Sequence, residues 1–353
     1  MIKGPAVTLC VLAYNRPKDL ENTIKSFLWQ NYKNSEMVII DDKSPKDLKT
    51  TIDKWIKKDK RIRYIRNSKN LGLAANFYNS FKHCRGKYVI FLGDDDLFIS
   101  PDALKEYVEV FSKNKKIGIV RSRQIIFRNS KVYQVAGITN FGKTTIYKNS
   151  KDTFRSFLLS TTSIAGLGFL NDHKLKELIF VQETVYPQLD LTARMSLFYK
   201  TAQINKYLIG VGRGENQLNP LSYKLYGKET NMMDDLSEIY DKFKFLANKN
   251  KINIVKKENF MKQTASFVPI FLPYNTLIYT RINTLKFISK ILKYNKEVIS
   301  QPLFISSFLF LFLPKILIKL FLLLINKIKL YYLISNKEIK TINSTIEYLL
   351  ASK

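Results

Sequence analysis

Gly86-Lys-Tyr-Val-Ile-Phe-Leu-Gly-Asp-Asp-Asp (86–96) is a short apolar run that stops on three carboxylates. Aromatic and β-branched residues bounded by glycine read as a buried strand over Lys87–Leu92. Adjacent aspartates repel one another, and proteins tolerate such a cluster where a hard divalent cation sits among them. Mg²⁺ or Mn²⁺ held by one or two carboxylates completes its shell with water and substrate phosphates. The competing reading is a solvated acidic turn leading to the helix at Pro101. The strand-end position, in a chain of net charge +29, favours a metal–phosphate site.

Outward from this run the first 120 residues alternate regularly. Val7–Ala13, Met37–Ile40, Ile62–Ile65 and Ile117–Val120 read as further strands. Between them, Pro17–Gln30, Pro45–Lys58, Leu73–His83 and Pro101–Lys113 carry apolar residues at helical spacing, such as Leu20, Ile24 and Phe27. Strands alternating with helices of this length specify an α/β fold with a doubly wound, mostly parallel sheet. Polar residues fall just after the strands, at Asn15, Asp42 and Asp94, the edge where open α/β sheets bind ligands. Beyond residue 120 the pattern loosens. Arg123–Gly137 reads as strands turning at Asn129-Ser130, Thr153–Ser160 and Asp190–Lys200 as helices, and 216–300 as helical.

The chain has 353 residues with ordinary apolar content, enough for a large buried core. Its two cysteines, Cys10 and Cys84, make no metal framework and point to a reducing compartment. No export signal is legible at the N-terminus, which places the chain in the cytoplasm. The 58 Lys and Arg against 29 Asp and Glu call for an anionic partner: nucleic acid, a phosphorylated ligand or an anionic membrane. Against nucleic acid stand the absence of zinc spacing or an RNA-recognition aromatic motif, and an acidic cluster at the expected binding edge.

Basic character rises toward the C-terminus, with 19 Lys and Arg against 5 Asp and Glu over 241–353. Residues 303–335 hold four lysines, no acid and apolar runs too short to span a bilayer. This reads as amphipathic helices lying on an anionic membrane surface. The same helices could instead close the C-terminal core or pair with a second copy of the chain.

Asp41-Asp42 ends the second strand as a nucleobase or ribose acceptor, or as an Asx-turn with Ser44 before the Pro45 helix. Tyr14-Asn15-Arg16-Pro17 offers a base-stacking ring, a phosphate-pairing guanidinium and free N–H groups at a helix start. Taken together, Val-Thr-Leu-Cys-Val-Leu-Ala-Tyr-Asn-Arg (7–16), Val-Ile-Ile-Asp-Asp-Lys-Ser (38–44), Arg-Asn-Ser-Lys-Asn-Leu-Gly-Leu-Ala-Ala-Asn (66–76) and 86–96 resemble, in order and spacing, the N-terminal blocks of family 2 glycosyltransferases.

The resemblance covers residues 1–125 closely and extends loosely to 215. It implies a glycosyltransferase A-type nucleotide-diphosphosugar fold and an inverting transfer. It puts Ala13, Tyr14 and Arg16 near the nucleotide, Asp42 on the base and Asn70-Leu71-Gly72 along the same pocket. It gives Asp94 and Asp96 the DxD role of holding Mn²⁺ or Mg²⁺, with Asp95 near the sugar or ribose. Inversion needs a general base. Asp190, in Tyr186-Pro-Gln-Leu-Asp-Leu, fits that role, although Leu189 stands where the family has Glu; Glu183 is the second candidate. Gly210–Gln217 reads as a loop closing over the donor, with Arg213 reaching the diphosphate, or as a plain connection. The expectation is a metal-dependent enzyme moving sugar from a nucleotide donor, UDP-linked in the first instance, to a glycan or lipid-linked acceptor in bacterial surface polysaccharide synthesis. It would sit on the inner face of the cytoplasmic membrane. The alternatives are a nucleotide-binding scaffold and a basic nucleic-acid-binding protein. The expected divisions are a catalytic domain at 1–215, a helical extension at 216–300, and basic membrane-associating helices at 301–353.

Overall fold

Strand β1 (Val7–Ala13) is buried along its whole length, as are β2 (Ser35–Asp41) and most of β4 (Tyr88–Gly93). Burial on both faces is why these strands read as unbroken apolar runs instead of alternating ones. With β3 (Ile62–Arg66) they form a parallel set in the order β3-β2-β1-β4. The structure is a computed structural model that describes residues 4–136, 144–150, 152–153, 163–180, 184, 186–212, 232–267, 272 and 281–351.

Past β4 the sheet becomes mixed. Short β9 (Leu167–Leu170) runs antiparallel between β4 and β6 (Ile117–Arg128). On its other edge β6 pairs in parallel with the long β10 (Lys200–Gly212), and β5 (Asp96–Phe98) closes the order antiparallel to β10. β7 (Lys131–Ala136) folds back on β6 through Asn129 and Ser130, both at positive φ, as the sequence led us to expect. β8 (Thr145–Tyr147) pairs with β10.

The connecting helices follow the expected order. They are α1 (Pro17–Leu28), α2 (Lys49–Lys58), α3 (Gly72–Ser80), α4 (Ala103–Lys113), the short α5 (His173–Leu178) and α6 (Pro187–Met195). Proline opens α1 and α6, where its missing N–H costs nothing. One face of the sheet packs on α1, α2 and α4 through Leu20, Ile52 and Phe111; the other packs on α3, α5 and α6 through Phe77, Leu175 and Leu191. Helix α6 is buried all round. Its Leu191 and Met195 face the sheet, while Leu189 and Ala193 face a second core.

That second core is built by α7 (Met232–Lys249), α8 (Lys257–Phe267), α9 (Arg281–Tyr294) and α10 (Pro302–Leu309). The C-terminal segment, read from sequence as one amphipathic unit, divides in two. Helix α11 (Lys315–Leu333) leaves much of its apolar surface exposed. It also runs against β7. Helix α12 (Asn336–Ala351) returns to the sheet too, burying Ile342, Ile346 and Leu349 against β5, β6 and β7. Its Asn343 side-chain Oδ1 accepts the Val132 N–H at 2.9 Å.

Candidate active site

The carboxyl ends of β1, β2 and β4 lie side by side, and several hydrogen bonds tie one end to the next. At the end of β4, Asp94 accepts the Tyr14 backbone N–H at 2.7 Å and the Arg16 guanidinium at 2.8 Å. The same guanidinium stands 3.3 Å from Asp95. Thr23 of α1 donates its hydroxyl to the carbonyls of Asp94 and Asp96, at 3.0 and 2.8 Å, which holds the acidic turn against the helix. Asp96 folds back to accept the Gly93 N–H. Strand β10 approaches so closely that a Cβ on Gly212 would stand 2.1 Å from the Asp95 carbonyl oxygen. Gly210 and Gly212, expected in a loop, are therefore strand residues, and Gly212 shapes the acidic turn.

Asp94 is almost fully buried, and burial pushes its carboxyl up to about 7 despite the Arg16 charge beside it. Burial pulls the Arg16 guanidinium down, but Asp95 and Asp94 outweigh that and push it up. The two partners respond differently because Arg16 keeps more than a third of its side chain in solvent and loses less to desolvation.

At the end of β2 the two aspartates have different partners. Asp41 forms the turn with Ser44, accepting its N–H at 2.8 Å, and also accepts the Tyr64 hydroxyl at 2.6 Å. Ser44 in turn accepts the Asn15 N–H, tying β1 to β2 where Asn15 and Lys43 take positive φ. Asp42 has its backbone N–H on the Ala13 carbonyl. Its carboxylate accepts Asn67 and the N–H groups of Leu71 and Gly72, all within 2.9 Å, so it caps α3. Three of its roughly four lone-pair positions are filled, which leaves room for one further donor. Asn70 accepts the same Gly72 N–H, so Asp42, Asn70 and Gly72 are one assembly. Tyr14, at the neighbouring end of β1, is exposed. Ala13 is buried and contributes only its backbone.

Helix α3 leads from that assembly to Asp190, since Tyr78 lies six residues, about 9 Å, along its axis from Gly72. The Tyr78 hydroxyl donates to Asp190 Oδ2 and accepts from Arg194 at 2.8 Å, and Arg194 also pairs with Oδ2 directly. Burial and then Asp190 push the Tyr78 hydroxyl well above its ordinary range, so it stays protonated as a donor. Asp190 is buried, and its Oδ1 makes no hydrogen bond among the described residues. Arg194 is thus a fully buried partner of Asp190. Tyr78 was legible in sequence only as an apolar helix position. Glu183, Arg213 and helix positions 154–160 lie outside the described residues.

Asp94, Asp95 and Asp96 present only hard oxygen donors, the set Mg²⁺ and Mn²⁺ take. Asp94, desolvated beyond what Arg16 offsets, is a carboxylate that a further cation would favour. Among the described residues no group of three or more His, Cys, Asp or Glu is arranged to hold a metal by itself. A cation here would draw the rest of its shell from water and substrate phosphates.

The model of Glycosyl transferase family 2 matches residues 8–176, which takes in all four strand-end blocks. This chain carries a family 2 glycosyl transferase domain. An uncharacterized glycosyltransferase of Rickettsia felis is 44% identical over 92 residues, 26% of this chain and 15% of that protein. The UDP-Glc:alpha-D-GlcNAc-diphosphoundecaprenol beta-1,3-glucosyltransferase WfaP of Escherichia coli is 36% identical over 94 residues, 27% of this chain and 37% of that protein. In both of these relatives the shared stretch is less than half of the relative's length. The crystal structure of S. aureus TarS 1-349 in complex with UDP-GlcNAc has the same fold, with a TM-score of 0.55 and 16% identity over 97% of this chain and 90% of that one. The glycosyl transferase domain is thus a glycosyltransferase A-type mixed sheet followed by a helical C-terminal region.

Proposed function

We propose that this chain is an inverting glycosyltransferase of bacterial polysaccharide synthesis, taking sugar from a nucleotide donor, first of all UDP-linked, to a lipid-linked acceptor. The observation that carries the reading is the joined strand-end assembly. Asp94 there meets Arg16 and the backbone of the exposed Tyr14, and Asp42 is bonded to the N–H groups of Leu71 and Gly72. The donor and acceptor classes rest on the likeness to WfaP, whose name states both.

In this reading Tyr14 stacks on the base, Asp42 offers it the remaining lone pair, and Arg16 swings from Asp94 and Asp95 to the diphosphate. Asp94 and Asp96 hold Mn²⁺ or Mg²⁺, which supplies electrostatic stabilisation of the leaving diphosphate. Asp95, more open than its neighbours, faces the sugar or ribose. Asp190 takes the acceptor proton on Oδ1, the oxygen without a hydrogen bond, while Tyr78 and Arg194 orient it through Oδ2. The enzyme works on the cytoplasmic face of the membrane, where the lipid-linked acceptor is found.

Calorimetric titration of UDP, GDP and CMP with Mn²⁺ and with EDTA tests this. One nucleoside diphosphate should bind with metal and weaken at least tenfold without it, by about 1.4 kcal/mol or more. Asp190→Asn should keep that binding and lose transfer by about 10²-fold or more. A folded chain that binds none of the three nucleotides sinks the donor assignment; normal transfer by Asp190→Asn moves the base elsewhere.

A further inference from the structure

Helix α11 inverts the usual pattern of a surface helix. Among the described side chains of its first part, up to Ile325, the buried strip is narrow, Ile318 and Leu322 closing on Phe310. Ile316, Leu317, Leu320 and Leu324, at helical spacings of one, three and four residues, face outward, with Ile316 62% and Leu324 56% exposed, while the half-exposed Phe321 rests its ring on Phe310. The preceding helix continues the pattern with Leu309 and with Phe312 beyond its end, the latter 67% exposed. A globular protein rarely leaves contiguous apolar surface of this kind uncovered.

Charge distinguishes among the candidate covers. Lys315, Lys319 and Lys327 are exposed on the same helix, and no Asp or Glu occurs between Glu297 and Glu338. A second copy of the chain would bring the same lysines to the contact, whereas an anionic lipid surface complements both the apolar arc and the charge. No described helix is long and apolar enough to cross a membrane. Helix α12 then ties this surface to the sheet. Ile342, Ile346 and Leu349 share a buried cluster with Leu97 and Ile99, the residues that follow Asp96 along β5.

We infer that α11, with the end of α10, is a docking surface for an anionic bilayer, on which the protein lies without spanning it. The inference deepens the membrane-face part of the proposed function. It gives α12 a consequence: a bilayer seated on α11 holds the donor-site edge of the sheet in a fixed orientation to the lipid.

The test is co-flotation of the full chain with vesicles of phosphatidylcholine alone or with about one-third phosphatidylglycerol, at low and high salt, with lipid-free sedimentation and UDP titration in parallel. The wild type should float with the anionic vesicles and detach as salt rises. Leu320→Glu with Leu324→Glu should reduce vesicle binding about tenfold or more. Replacing Lys315, Lys319 and Lys327 by Gln should reduce it about fivefold for each lysine removed. UDP binding should be unchanged in both variants, because the substituted side chains are exposed and outside the strand-end site. Equal flotation of wild type and both variants overturns the inference. So does a lipid-free dimer that Leu320→Glu dissolves, which would give the surface to a second copy. Vesicle binding that persists in a chain unable to bind any nucleotide leaves the docking surface standing and removes the donor reading alone.

Discussion

Near neutral pH the Asp94 carboxyl stands close to half-protonated, because burial costs its charge more than Arg16 returns. The consequence for stability has a definite sign. Its folded value of about 7 lies above the ordinary 3.8, so the folded chain holds this proton more tightly than the unfolded one. The associated stability is full below about pH 4 and is lost as pH rises through 7, a loss of about 4 kcal/mol at most. Urea midpoints at pH 5 and pH 8 should therefore fall further for the wild type than for Asp94→Asn, which carries no charge to bury. Equal slopes would mean that Asp94 is ionised throughout that range. The residue scale also shows what spacing cannot convey. That Asp94 ends a strand was readable from Gly86–Asp96. That Asp42 caps α3, and that Tyr78 joins the Asp190–Arg194 pair, depended on contacts between residues 29 and 116 positions apart, whereas Asp190 and Arg194 themselves are one helical turn apart.

Elements were most legible where both faces are covered. Strands β1, β2 and β4 are buried throughout, so their apolar runs identify them without tertiary knowledge. β9 was missed because four residues give too short a run, and β10 because Gln203, Asn205 and Lys206 interrupt its pattern. Helix α6 was expected to start at Asp190, but Pro187 opens it a turn earlier. The end of β10 is also where an element presses on the site. Gly212 lies against the Asp95 backbone, so Gly212→Ala must displace either β10 or the acidic turn, at about 1–3 kcal/mol. We expect it to weaken metal-dependent UDP binding and to lower the urea midpoint. Gly4→Ala, whose added methyl meets nothing within 4 Å, should change neither. A Gly212→Ala chain with unaltered nucleotide affinity would show that the turn's geometry is not what the donor reads.

For the whole molecule, composition showed a basic, apolar C-terminus but could not divide it, because α11 and α12 are both rich in Ile, Leu and Lys. The division is tertiary: the apolar positions of α12 are buried against hydrophobic partners on the sheet, while many of those described on α11 stay exposed. The two helices should therefore fail differently when removed. Ending the chain after Ser335 uncovers Leu97, Ile99, Ile125, Phe127, Val132 and Val135 at once, residues of β6, of β7 and of β5 or its end, β5 being the strand that begins at Asp96. A single cavity at the centre of that cluster, Ile346→Ala, should cost about 2–4 kcal/mol, and the truncation more. Both should lower the urea midpoint, and the truncated chain should also lose affinity for UDP as β5 loosens beneath the acidic turn. Leu320→Glu with Leu324→Glu should leave the midpoint within about 0.5 kcal/mol of the wild type, since those side chains already face solvent. If the truncated chain unfolds at the same urea concentration as the full one, α12 is not part of the sheet's core, and the link between the C-terminal surface and the donor site falls with it.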